Sequence, residues 1–455
     1  MKKHKLFTLI LLLVFVGTLQ AKTDIIPKPN EIKITDGKFN YAKGFDVKII
    51  RGDYATQEIH KAFSAFVQSK KIPIIRFSKT AISFNLLKTD TDSLPADAYN
   101  LSITPTTIEI SSTSNAGLFY GMQSLIQLFN VDTTQALSCF ETTDVPAFSY
   151  RGFQLDAAHR FISVEHIKHL IDVMAKLKLN NFHWQLADEK SWHLALASDN
   201  SLTSKENFYT KDDIATVVQY AQKKFIQVIP ELNFALLANQ DSASVATDKI
   251  VNEICSLFPG KYIHLGNNSI NADFYQKIQA FLKSNNKEII VRDQAQFANS
   301  TLQVYSNSKG STSAAASGKD IIMSPSNYCS LDYQQDWDDE KYAFYMSYLP
   351  LDKAYSFNPT SKIKDKATAQ HIIGAEACMP TTYIKDSTTL EYMLFPRLIA
   401  LSECMWTNKH QKNYRDFQAR LSSQKNYFYT EKEFIYDLVH INPKKMKNKQ
   451  KKKKK

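Results

Sequence analysis

The stretch YRGFQLDAAHRFISVEHIKHLIDVMAKLKLNNFHWQLADEKSW, residues 150–192, decides how the rest of this 455-residue chain is read. FQLD at 153–156 is a short apolar run suited to a buried strand. VEHIKHLIDVMAKLKL follows, in which Ile167, Leu170, Ile171, Met174 and Leu177 recur at helical spacing and share one face. NFHWQL at 181–186 is strand-like again. Strand, crossover helix and strand in that order make a parallel βαβ unit.

The same alternation continues downstream. Strand candidates follow at QVIPELN (227–233), YIHL (262–265), IIVR (289–292), LQVY (302–305), IIMS (321–324) and IIGAEA (372–377), with helical patterns such as DIATVVQYAQKKF between them. The total is eight, and eight parallel repeats predict an α/β fold, a (β/α)8 TIM barrel over residues 146–440. In such a barrel the chemistry sits at the C-terminal ends of the strands, so the residues just after each strand are the ones to question. Upstream, residues 22–145 predict a small α+β domain. EIKITDG and FDVKIIRG alternate as strands, a helix spans 55–69, AYNLSITPTTIEISS is a hairpin, and NAGLFYGMQSLIQLF is an amphipathic helix with Leu118, Met122, Leu125 and Leu128 on one side.

Composition narrows the function classes. The formal charge is +11, but Lys2, Lys3 and Lys5 together with nine lysines in Lys444–Lys455 exceed that total by one, leaving −1 for residues 22–443. The body therefore lacks the basic footprint of a nucleic-acid reader. Only 12 glycines are present, which disfavours a dinucleotide fingerprint. MKKHKLFTLILLLVFVGTLQA, residues 1–21, has the basic head, apolar run and small-residue end of a secretory signal, so the protein is expected to be exported, periplasmic or secreted. Residues 441–455 read as a disordered Lys-rich tail able to touch anionic surfaces. Five cysteines lie scattered without metal-ligand spacing, consistent with buried thiols, and no metal or organic cofactor is implied.

Residues 150–192, together with VIPELN (228–233), IHLG (263–266), MSPSNYCSLDYQQ (323–335), KAYSFNP (353–359) and LEYMLFPRLIALSECMWT (390–407), resemble the family-20 glycoside hydrolases, the β-N-acetylhexosaminidases. The resemblance is ordered and spans nearly all of the chain after residue 21, including the small domain ahead of the barrel. It implies a substrate-assisted glycosidase, in which the substrate's acetamido oxygen attacks the anomeric carbon. An Asp orients that group and the adjacent Glu protonates the leaving oxygen, in a His-x-Gly-Gly-Asp-Glu motif.

Here that motif reads His264, Leu265, Gly266, Asn267, Asn268, Ser269. Asn268 can hydrogen-bond an amide but brings no charge to a developing oxazolinium cation. Ser269 is too weak an acid to protonate a glycoside oxygen. Losing both groups removes on the order of 5 kcal/mol or more of transition-state stabilisation. Other family positions are altered too. Arg292 and Pro380 replace pocket tryptophans, Thr382 a sugar-binding Glu, Ser330 an acetamido-binding Tyr, and Gln185 a histidine, while Ala235, Leu236 and Leu237 stand for a Pro-Gly-His.

Retained positions are Arg151, which the resemblance casts as gripping sugar hydroxyls, with Asp156, His183, Trp184, Asp188, Trp192, Glu231 and Asp332. Each has a plainer reading. Arg151 and Asp156 can be an ion pair at the barrel mouth, Trp184 and Trp192 packing residues, His183 a satisfied core histidine, and Glu231 an acceptor for neighbouring backbone donors. The expected function is a family-20-like protein without hexosaminidase turnover that binds an N-acetylhexosamine-containing glycan. The alternatives are an active hexosaminidase with unorthodox residues, drawing on Asp188, Glu189, Asp293 or Glu376, and a structural subunit whose mouth is filled by Leu236, Leu237 and Met379.

Overall fold

A computed structural model describes residues 23–88, 94–187, 189, 192–238, 245–266, 270–293, 296–305, 315, 316, 318–336, 347–361 and 363–428. Asp188, Asn268, Ser269, residues 1–21 and the Lys-rich tail lie outside the described residues.

The N-terminal unit is a six-stranded mixed sheet. Its strands are β1 (Lys33–Asn40), β2 (Asp46–Arg51), β3 (Ala81–Leu86), β4 (Tyr99–Ile103), β5 (Thr107–Ser112) and β6 (Ala136–Asp144), in the spatial order β1-β6-β4-β5-β3-β2. Two helices, Tyr54–Ser69 and Asn115–Val131, pack on it. The second differs from the sequence expectation. Every residue from Gly117 to Phe129 is buried, because the helix lies against the sheet on one side and meets helices Val164–Lys176 and Tyr414–Phe428 on another. A helix apolar on most of its circumference is one enclosed by a core.

The barrel closes from β7 (Tyr150–Asp156), β8 (Asn181–Gln185), β9 (Gln227–Glu231), β10 (Tyr262–His264), β11 (Glu288–Arg292), β12 (Thr301–Val304), β13 (Ile321–Met323) and β14 (Ile372–Met379). All eight expected strands are present, each pairing is parallel, and β14 meets β7 with Glu376 opposite Gly152.

Two interior layers position the site. The lower is apolar, formed by Tyr150, Ile229, Ile290 and Ile322. Above it lies a polar layer containing His183, Glu231, His264, Gln303 and Glu376, all buried. Gly152 makes the transition possible: a Cβ there would stand 2.6 Å from Tyr150 Cε1 and 2.7 Å from Glu376 Oε2. The cysteines are free thiols, four of them buried, and no helix among the described residues is long and apolar enough to cross a membrane.

Candidate functional site

Strand alternation sends Gln154 and Asp156, His183 and Gln185, Glu231, His264, Arg292, Gln303 and Glu376 into the barrel. They form one connected network. Glu376 accepts from Tyr150 Oη at 2.5 Å, from Gln303 Nε2 at 2.5 Å and from His183 Nδ1 at 3.0 Å. The other nitrogen of that ring, Nε2, stands 2.9 Å from Glu231 Oε2. Arg292 Nη2 donates to the same oxygen at 2.8 Å and Gln154 Nε2 at 3.1 Å. Arg292 Nε donates to Gln303 Oε1 at 2.8 Å.

These bonds fix the protonation states. Burial alone would lower the His183 pKa, but Glu376 and Glu231 on its two sides outweigh burial and push it up to about 9, so His183 is an imidazolium near neutral pH. Burial would raise Glu231, yet Arg292 and His183 hold its carboxyl well below the usual range. His264 behaves oppositely. Its Nδ1 accepts the Gly266 N–H at 3.1 Å, so its proton is on Nε2, facing Gln303 Oε1 at 3.2 Å. Burial keeps that ring neutral, with a pKa well below the ordinary histidine value. Gly266 can make this contact because its φ is +85°, where a Cβ would stand 2.8 Å from Leu232 O.

Above the network a cavity of about 550 Å³ opens at the C-terminal ends of the strands. Gln154, His159, Gln185, Asn233, Arg292 and Tyr305 supply much of its wall, and Pro380 and Thr382 also line it. The described carboxylates lining it are Asp156, Glu189 and Glu231. Asp156 is fully engaged: it accepts from the Ala158, His159 and Thr381 backbone N–H groups at 3.1, 3.0 and 3.0 Å, and His159 Nδ1 lies 2.8 Å away. Glu231 is ionised and paired. Glu189 is exposed.

The structure corrects several expectations. Arg151 is wholly buried and does not reach the mouth. It donates to the Lys178 and Phe148 carbonyls at 2.8 Å each and to Asp97 Oδ2 at 2.9 Å, fastening the N-terminal unit to the start of β7. Positions 151 and 156 differ by an odd number on one strand, so their side chains leave opposite faces and the Arg151–Asp156 ion pair does not form. Trp184 and Trp192 are wholly buried and offer no platform to a sugar. Trp184 points out of the barrel and packs edge-on against Tyr209, with 4.6 Å between ring centroids. Glu231 serves side chains, not backbone donors. Glu376 is sealed below the cavity and Asp293 is held by the Tyr305 N–H at 2.9 Å, so neither is placed as a replacement acid. Leu237 and Met379 are buried in the surrounding core, Leu236 packs against it, and the mouth is not filled by them.

His159, Gln154, Tyr305 and Gln303 were not singled out by the sequence reading. Strand parity was the available signal, since polar side chains at 154 and 303 on otherwise apolar strands demand interior partners. His183, Glu231 and His264 also bring ligand-type atoms within 4.8 Å of one another, a cluster that sequence spacing hides. The donor set does not suit a metal ion: Glu231 Oε2 already carries a guanidinium, and His264 Nδ1 is spent on the Gly266 amide.

Comparison with known proteins agrees with this architecture. The model for glycosyl hydrolase family 20, catalytic domain, matches residues 148–235 and 268–409, and that for domain 2 of the same family matches residues 22–145. A β-hexosaminidase of Porphyromonas gingivalis is 28% identical over 414 residues, covering 72% of this chain but 53% of its own length, so the chain spans about half of that relative. A β-hexosaminidase of Vibrio furnissii is 23% identical over 475 residues, 85% of this chain and 77% of the relative. The solved Streptomyces coelicolor β-N-acetylhexosaminidase superposes with a TM-score of 0.80 at 21% identity, covering 89% of this chain and 96% of that one. A closed parallel barrel behind a small mixed-sheet domain, matched by both family models in the proper order, makes this chain a member of glycosyl hydrolase family 20.

Proposed function

We propose that this family-20 member is exported and holds an N-acetylhexosamine-containing glycan at the barrel mouth without hydrolysing it. The observation that carries the reading is the state of the two buried mouth carboxylates. Glu231 is neutralised by Arg292 and His183, and Asp156 is consumed by its own turn and by Thr381. The sequence puts an amide and an alcohol, Asn268 and Ser269, where the family places its acid pair. A cavity of about 550 Å³ with amide, hydroxyl and imidazole walls suits a hydroxyl-rich ligand.

The test is release of chromophore from an aryl N-acetyl-β-glucosaminide at high concentrations of purified protein, beside thermal unfolding with added N-acetylglucosamine oligosaccharides. The expected result is no turnover and a raised unfolding midpoint. A second reading, residual hydrolysis with a substitute acid, draws on Glu189, the exposed carboxylate that lines the cavity. Turnover abolished by Glu189→Gln would favour that reading.

A further inference from the structure

Between Glu58 and Asp90 the chain carries no acidic residue but holds Lys61, Lys70, Lys71, Arg76, Lys79 and Lys88, a local excess of positive charge in a body whose net charge is only −1. The middle of this run, residues 70–79, connects helix Tyr54–Ser69 to β3 and lies along the outer edge of β2, the last strand of the sheet. It is tied down there: Phe45 N donates to Pro73 O at 3.2 Å, Ile75 N to Phe45 O at 2.8 Å, and Phe77 N to Asp46 Oδ2 at 3.1 Å. Lys70, Lys71, Arg76 and Lys79 are all exposed, and none makes an ion pair with a described residue.

Two apolar side chains of the same loop point outward as well, while Ile72 and Ile74 pack against the core. Phe77 is 90% exposed and Ile75 45% exposed. Phe77 holds φ at +63°, a conformation an aromatic residue adopts only under constraint, and the Arg76 guanidinium lies 5.6 Å from its ring centroid. An outward aromatic and an outward aliphatic on a loop that also carries four exposed cations make the pattern of a segment that meets a negatively charged, partly apolar surface.

We propose that the 70–79 loop of the N-terminal domain docks this protein on an anionic phospholipid surface, with Phe77 and Ile75 entering the acyl boundary and the flanking cations meeting the headgroups. Charge complementarity selects the lipid class, and the exposed ring distinguishes a lipid surface from a dissolved polyanion, which gives an aromatic side chain nothing to enter. The loop is separate from the barrel mouth, so docking and glycan binding are independently measurable.

The experiment is co-sedimentation of the full chain with phosphatidylglycerol-containing vesicles and with pure phosphatidylcholine vesicles, at low and high salt. Binding to the first only, weakened by salt, is expected. Lys70→Glu with Lys71→Glu, and separately Phe77→Ala, should each lower the partition coefficient roughly tenfold or more while leaving the thermal midpoint unchanged. Phe77→Trp should shift its emission to the blue on adding anionic vesicles. Vesicle binding indifferent to these substitutions would overturn the proposal in favour of the lysine tail. Equal binding to soluble dextran sulfate, unaffected by Phe77→Ala, would overturn it in favour of a polyanion.

Discussion

Arg292 Nη2 donates to Glu231 Oε2 at 2.8 Å across the barrel mouth, joining the ends of β11 and β9. The family resemblance puts a tryptophan of the sugar pocket at position 292. A guanidinium there ties up the carboxylate next to it, and its central carbon lies 5.4 Å from the Tyr305 ring centroid. Removing one partner of a buried pair strands the other's charge. Arg292→Met is therefore expected to cost about 3–5 kcal/mol by urea unfolding. The double variant with Glu231→Gln should recover a large part of that loss.

His183 makes stability depend on alkaline pH. Its folded pKa, about 9, lies above the unfolded value of 6.5, so the stabilisation is complete below pH 6.5 and is lost as pH rises through 9. The amount is on the order of 3 kcal/mol. Glu231 acts at the other limb: its carboxyl is held below the usual range, so its contribution is present above pH 4.5 and fades as pH falls. Unfolding free energy measured against pH should be highest from this network between those unfolded values, and His183→Gln should flatten the alkaline limb.

Arg151→Ala should lower the unfolding midpoint while leaving glycan affinity at the mouth unchanged. The side chain bridges the domains through Asp97 and stacks near Tyr120 and Trp406, with its guanidinium carbon 5.4 and 4.9 Å from their ring centroids. A loss of about 3 kcal/mol or more is expected for a buried, multiply bonded cation. His159→Ala, at a residue that lines the cavity, should show the reverse pattern, with weakened binding in a titration with N-acetylglucosamine oligosaccharides and an unchanged midpoint.

Restoring the acid pair alone should not restore the enzyme. Asn268→Asp combined with Ser269→Glu supplies the missing proton and charge, yet Arg292 still occupies the carboxylate of Glu231 and no tryptophan walls return. Aryl-glycoside turnover is expected to rise by less than about tenfold over background, against the ~10²–10⁴-fold that general acid catalysis provides in an intact site. Full recovery from these two changes would mean that the remaining wall suffices.

The legible part of this protein was its periodicity. The barrel strands came within a few residues of their observed bounds because buried parallel strands are short apolar runs separated by amphipathic helices. In the N-terminal unit, β3 and β6 carry no local strand signal. The six residues AISFNL carry no clear alternation, and ALSCFETTD is polar along much of its length. Both are specified by the neighbours they pair with, which no local window contains.

From its order of residues alone the chain determined a parallel barrel behind a small mixed-sheet domain, and a strand-four end bearing Asn268 and Ser269 instead of acids. Those follow from local patterns and from residue identity. Which side chains meet was decided only in three dimensions. His183 and Glu376 are 193 positions apart and Arg292 and Glu231 are 61, yet closure of the cylinder brings each pair within 3.0 Å. The strand parity that turns Arg151 and Trp184 away from the mouth also turns these four inward. Their charges are then set by one another, because a buried ion takes its state from the groups facing it.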